Sequence, residues 1–172
     1  MNNISKIIVL PRRVVLDFLN HCLSKNDKPK YSNWHFISIY SCKRDKILNE
    51  FNIDAFKNNG MQLYLSLLFE DITFPGEDVN GDPLILFNES HAQQIIKMLN
   101  EIKSYPIKSK LIIHCDAGIC RSGAVGVFAA QYFNYNMDKF KKDNPFIHPN
   151  KLVLETLERV KNEKIQKVPN QK

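Results

Sequence analysis

Along this chain the apolar positions form short runs separated by helically spaced stripes. Ser5 to Leu10 is a short apolar run that predicts a first strand. Val14, Val15, Phe18, Leu19 and Cys22 then recur at helical spacing, so residues 12–23 predict an amphipathic helix opened by Pro11. Trp34 to Tyr40, aromatic and β-branched, predicts a second strand. Asp45 to Phe56 predicts a helical or mixed segment closed by the Asn58-Asn59-Gly60 turn, and Met61 to Phe69 a third strand with Glu70 and Asp71 just beyond it. From Thr73 to Phe87 no period holds. Pro75-Gly76, Asn80-Gly81 and Asp82-Pro83 break the chain, and the length of the stretch marks a functional loop or lid.

Beyond it, Ala92, Ile95, Ile96, Leu99 and Ile102 form the buried stripe of a helix capped by Asn88 or Ser90. Leu111 to Ile113 predicts a buried strand, and Arg121 to Ala130 a helix that is small and apolar on almost every side. A short helix over Met137 to Lys142 and an irregular Asn144 to Pro149 follow. Asn150 then caps a last helix carrying Leu152, Leu154, Leu157 and Val160, and the charged tail from Lys161 is expected to fray.

This alternation of strands and helices predicts an α/β fold: a single domain over residues 1–172, with a central, mostly parallel sheet and helices on both faces. With 172 residues, 44% of them hydrophobic, the chain is long enough to bury one sizeable core. No apolar run approaches a membrane span, and Ile7 to Leu10 is too short for a signal-peptide core, so a cytoplasmic location is expected. The formal charge of +6 fits an anionic substrate or partner. No basic run is interleaved with aromatics, so no nucleic-acid partner is expected. The four cysteines, Cys22, Cys42, Cys115 and Cys120, show no C-x2-C spacing, and the five histidines complete no zinc pattern. Neither a metal, nor a cofactor, nor a disulfide framework is expected.

The candidate chemistry lies in Lys110 to Gly123. A strand, a tight loop containing Gly118, and a helix start are the parts of an anion site, because loop amides and a helix N-terminus aim partial positive charge at one spot. Those amides, from Asp116, Ala117, Gly118, Ile119 and Cys120, favour a thiolate at Cys115 and a phosphate above it. Arg121 can hold two phosphate oxygens at once. Ser122 can donate a hydrogen bond to the sulfur and help it leave, and His114 can fix the loop by bonding backbone near Cys115. A thiolate facing a phosphate monoester is set for nucleophilic attack.

The text His114-Cys115-x5-Arg121-Ser122 resembles the signature of the cysteine-dependent protein tyrosine phosphatase superfamily, and the short chain is similar to its dual-specificity branch. The resemblance implies hydrolysis of phosphate monoesters through a cysteinyl-phosphate. It also implies a carboxylic acid, supplied by another loop, that protonates the leaving group. Asp71 is the first candidate, since Leu68-Phe69-Glu70-Asp71 resembles the acid loop of the phosphatase-and-tensin type. Asp78 and Asp82 in the same loop stay open, because the stretch after Asp71 is longer than the family usually has.

Two further cysteines fall where related enzymes carry a redox partner for the nucleophile. Gly-x-Cys-Arg-Ser around Cys120 is similar to the low-molecular-weight phosphatases, and Cys42 follows the second strand as in the phosphatase-and-tensin type. Asp116 and Ile119 stand where phosphoinositide and RNA-triphosphate phosphatases carry basic or specialised residues. The expected partner is therefore a phosphorylated protein (phosphotyrosine or phosphoserine/threonine) or a small phosphate ester. Trp34, Tyr40 and Phe74 are candidates for stacking on a phosphotyrosine ring. The competing readings are a sulfurtransferase, which also cradles an anion over a cysteine, and a non-catalytic phosphate-binding module of the same fold.

Overall fold

The computed structural model describes residues 4–25, 33–41 and 63–166. The segment expected over 45–56, the turn at 58–60 and Cys42 lie outside the described residues. The described elements are, in order, β1 (Ile4–Pro11), α1 (Arg12–Lys25), β2 (Trp34–Tyr40), β3 (Leu63–Leu68), α2 (Glu89–Lys103), β4 (Ser109–Cys115), α3 (Arg121–Tyr132), α4 (Met137–Asp143) and α5 (Lys151–Gln166). The four strands form one parallel sheet in the order β1-β4-β2-β3.

Parallel strands covered on both faces read as continuous apolar runs, because neither side meets water. β4 shows this directly. Leu111 and Ile113 face the larger core, built with Ile7, Val9, Ile37, Ile39, Ile95, Leu99, Phe128 and Leu157, while Ile112 faces the smaller one with Val15 and Phe36. α1 covers the smaller core, where Phe18 stacks on Trp34 with centroids 5.0 Å apart. α2, α3 and α5 supply the larger core. The helices therefore occupy both faces, as the alternation predicts.

Asn88 caps α2, its Oδ1 accepting from the amides of Ser90 at 3.0 Å and His91 at 3.3 Å. The free edge of β1 is closed by Asn144, whose Oδ1 accepts from Val9 N at 2.6 Å and whose Nδ2 donates to Ile7 O at 3.2 Å. The 73–87 stretch is tighter than a long lid. It turns on itself, Leu84 N donating to Gly76 O at 2.8 Å and Glu77 bridging Pro83, and it ends on a buried Phe87 packed edge-on against Phe69.

The sheet order places β4 in the interior of the sheet. Its last residues pair Cys115 with Pro11 of β1 on one side and His114 with Ser38 of β2 on the other. In such a sheet the loops leaving the carboxyl ends of neighbouring strands meet over one crevice.

Candidate active site

β4 ends at Cys115, the loop runs from Asp116 to Cys120, and α3 starts at Arg121. Gly118 shapes the loop. Its φ is +71°, and a Cβ there would stand 2.4 Å from the backbone of both Leu10 and Pro11. Only glycine combines that dihedral with that closeness. Gly118→Ala is therefore expected to cost about 2 kcal/mol or more and to lower Tm by about 4–8 °C. Thermal denaturation checks this, and an unchanged Tm contradicts it.

Cys115 is buried, its Sγ 3.0 Å from the Ser122 hydroxyl. No side chain caps the N-terminus of α3 at Cys120, and its first turn holds no acidic residue. The first amides of that helix are thus left open to an anion. Arg121 is almost fully buried. Its Nη1 donates to Phe69 O at 2.9 Å and its Nη2 to Asp116 Oδ2 at 3.0 Å, while Nε is buried with no hydrogen-bond partner among the described residues. A buried guanidinium nitrogen left unmet is costly, and a phosphoryl oxygen is the kind of acceptor that would meet it.

His114 is fully buried at the start of the loop, its Nε2 2.6 Å from Ser38 Oγ, with the Tyr40 ring edge-on beside it. Burial, helped by the Arg12 charge and opposed by Asp116, pushes its pKa down to about 4. The ring is neutral near pH 7, so it anchors β4 to β2 and carries no charge into the site.

The segment that carries Asp71 is fastened from several directions. Phe69 N donates to Tyr40 O at 3.1 Å and Glu70 N to Ile85 O at 2.7 Å. Asp71 Oδ1 accepts from Asn150 Nδ2 at 2.8 Å, and the backbone amide of the same Asn150 donates to Cys120 O at 3.1 Å. Asp71 is therefore tied through Asn150 to the loop that follows Cys115. Asp78 does not compete for that place: its Oδ1 accepts from the amides of Asn80 at 2.8 Å and Asp82 at 3.0 Å within its own exposed turn. Asp82 is exposed in the same turn. Burial, then the neighbouring Asp71 and Cys115, push the Cys120 thiol up.

Asp116 is the most heavily partnered group in the loop. Its Oδ1 lies 2.8 Å from Arg12 Nη2, and its Oδ2 takes both Arg121 and the Ser41 hydroxyl, the latter at 2.7 Å. Burial pushes its carboxyl up, but the Ser41 hydrogen bond and the two guanidinium groups outweigh it and hold the group below the usual carboxylate range. Of the ring-stacking candidates, Trp34 packs under Phe18, Tyr40 is buried with its hydroxyl 3.1 Å from that of Tyr64, and Phe74 is exposed.

Five contributors carried no reading as site residues: Arg12, Ser38, Ser41, Asn150 and the carbonyl of Phe69. Asn150 does cap α5, accepting from Val153 N at 3.2 Å, but the other end of the same amide holds Asp71. A capping asparagine separated from Asp71 by four elements gives no local signal of the contact. A backbone carbonyl gives none at all.

No protein-family model matches the chain, and no curated protein matches it. Solved structures do match in fold. Tk-PTP in its active form aligns with a TM-score of 0.50 at 17% identity, over 91% of this chain and 90% of that chain. PTPMT1 aligns with a TM-score of 0.51 at 16% identity, over 94% of this chain and 92% of that chain. PTPMT1 in complex with PI(5)P gives 0.52 at 13% identity, over 96% of each chain. The fold is that of the dual-specificity-like branch of the cysteine-dependent protein tyrosine phosphatases.

Proposed function

We propose that the protein is a phosphatase that hydrolyses phosphate monoesters through a cysteinyl-phosphate intermediate. The observation that carries this reading is the tying of the Phe69–Asp71 segment to the loop that holds Cys115 and Arg121, by Arg121 on the Phe69 carbonyl and by Asn150, which bonds both Asp71 and the Cys120 carbonyl. The Cys115 thiolate attacks phosphorus as the P–O bond to the leaving group breaks, and Asp71 protonates the departing oxygen. The phosphoryl charge is met by the loop amides, the start of α3 and Arg121. A water then attacks the thiophosphate. Asp71 takes its proton, and the thiolate leaves toward the Ser122 hydroxyl 3.0 Å away.

The substrates of this reading are phosphotyrosine or phosphoserine/threonine side chains and small phosphate esters. The structure of PTPMT1 with PI(5)P supports a phosphate ester in general. Among the described residues no helix is long and apolar enough to cross a membrane, which is compatible with the proposed cytoplasmic location. Cys120 is the described thiol proposed to condense with a Cys115 sulfenic acid formed by peroxide, giving a disulfide and water.

The test is hydrolysis of p-nitrophenyl phosphate. Vanadate-sensitive turnover that falls at least about a thousandfold in Cys115→Ser is expected, because the serine hydroxyl is a far weaker nucleophile at neutral pH. No turnover despite phosphate binding would support a binding module instead. Sulfur transfer to cyanide without phosphatase activity would support a sulfurtransferase.

A further inference from the structure

The loop that should receive a phosphoryl group already holds an anion. Asp116 places one carboxylate oxygen on Arg121 Nη2 at 3.0 Å and the other on Arg12 Nη2 at 2.8 Å. With Nη1 committed to the Phe69 carbonyl, both terminal nitrogens of Arg121 are engaged within the protein. A phosphoryl dianion drawn to the same Nη2 meets a carboxylate there, and like charges at that range repel strongly in a partly desolvated site.

The surroundings provide a second position for that carboxylate. Arg12 starts α1, its guanidinium 5.1 Å above the Tyr40 ring and its amide donating to Asp116 O at 3.2 Å. Ser41 holds the carboxylate from the end of β2. Beyond Arg12 lies an open depression of about 640 Å³ lined by Arg12, Arg13, Leu16, Asp17 and Asn20, and Asp116 forms its wall on the loop side. The Asp116 side chain is 41% exposed, against 5% for Arg121, so the carboxylate is the partner with room to move.

We propose that Asp116 is an internal anion that the substrate phosphoryl group displaces from Arg121, and that Arg12 is the positioning residue that retains the displaced carboxylate on the α1 side. This rests on the phosphatase reading of the loop and adds a specificity to it. The loop accepts an isolated phosphoryl group and disfavours a substrate that brings a second phosphate to the α1 side, where the carboxylate then stands. Arg12 touches no reacting atom in this account; it lowers the cost of moving Asp116.

Titration calorimetry of inorganic phosphate into the Cys115→Ser protein, at fixed pH and ionic strength, tests this without any turnover. Adding Asp116→Asn is expected to tighten phosphate binding about tenfold, the low end of what a close charge pair contributes. Asp116→Ser, run beside it, gives the same direction and keeps the test valid if one variant folds poorly. Arg12→Ala is expected to weaken binding at least about fivefold more when Asp116 is present than in the D116N background. Unchanged or weaker binding in both uncharged variants overturns the proposal, and so do equal Arg12→Ala losses in the two backgrounds. A parent protein that binds no phosphate at any concentration overturns the phosphate-site reading beneath it.

Discussion

Arg121→Lys is expected to lower kcat/KM for p-nitrophenyl phosphate by about a thousandfold, even though the charge is kept. The geometry explains why charge is not enough. Arg121 reaches the Phe69 carbonyl with Nη1 and Asp116 with Nη2, and its Nε is buried as well. An ammonium is a single point and cannot span the two. It loses the two-oxygen grip on a phosphoryl group and leaves the Phe69 carbonyl without its donor. Because Phe69 stands two residues before Asp71, the same change also loosens the acid from the loop. Steady-state kinetics with p-nitrophenyl phosphate measures the loss; a lysine variant within tenfold of the parent would mean that Arg121 acts by charge alone.

Asp71→Asn gives the second large effect, and its signature is selectivity between leaving groups. The asparagine keeps an oxygen for the Asn150 amide, 2.8 Å away, so the loop is expected to stay in place. What it removes is the transferable proton. Phenyl phosphate, whose leaving group needs that proton, is expected to lose about 100-fold or more in kcat, and an ester with a strongly acidic leaving group about tenfold or less. The comparison is made across aryl phosphates of graded leaving-group acidity. Equal losses across the series would remove Asp71 from the role and return attention to the rest of its loop.

How much of this was legible beforehand depends on the range over which each signal acts. The fold was legible because its signals are local and repeated. Trp34–Tyr40 was bounded correctly by composition alone, and the stripe Ala92, Ile95, Ile96, Leu99 and Ile102 is buried throughout. Cys115, Arg121 and Ser122 were readable because strand, loop and helix bring them together within a few residues. The contacts that complete the site act over long distances in sequence. Arg121 meets Phe69 across 52 positions, Asn150 meets Asp71 across 79, and Ser41 meets Asp116 across 75. No periodicity announces such pairs. Asp116 shows the limit most sharply: as a letter in a motif it suggested only a weak bias against highly charged substrates, whereas its two guanidinium partners make it part of how the loop is filled.

The strand order has a consequence for the time at which this site comes into being. β4 carries Cys115 at its end, yet it lies between β1 and β2, and its pairing with β1 closes a separation of about a hundred residues, marked by the Ser5 hydroxyl on the Ser109 carbonyl. Contacts of such long range form slowly, because the entropy of closing the loop is spent before the pairing rewards it. The backbone of Leu10 and Pro11, against which Gly118 is moulded, comes from β1, and the loop itself from about a hundred residues further along the chain. A nascent or half-refolded chain therefore has no phosphate cradle to offer. Recovery of catalytic competence after denaturation should track the last cooperative step of folding rather than the early appearance of helices.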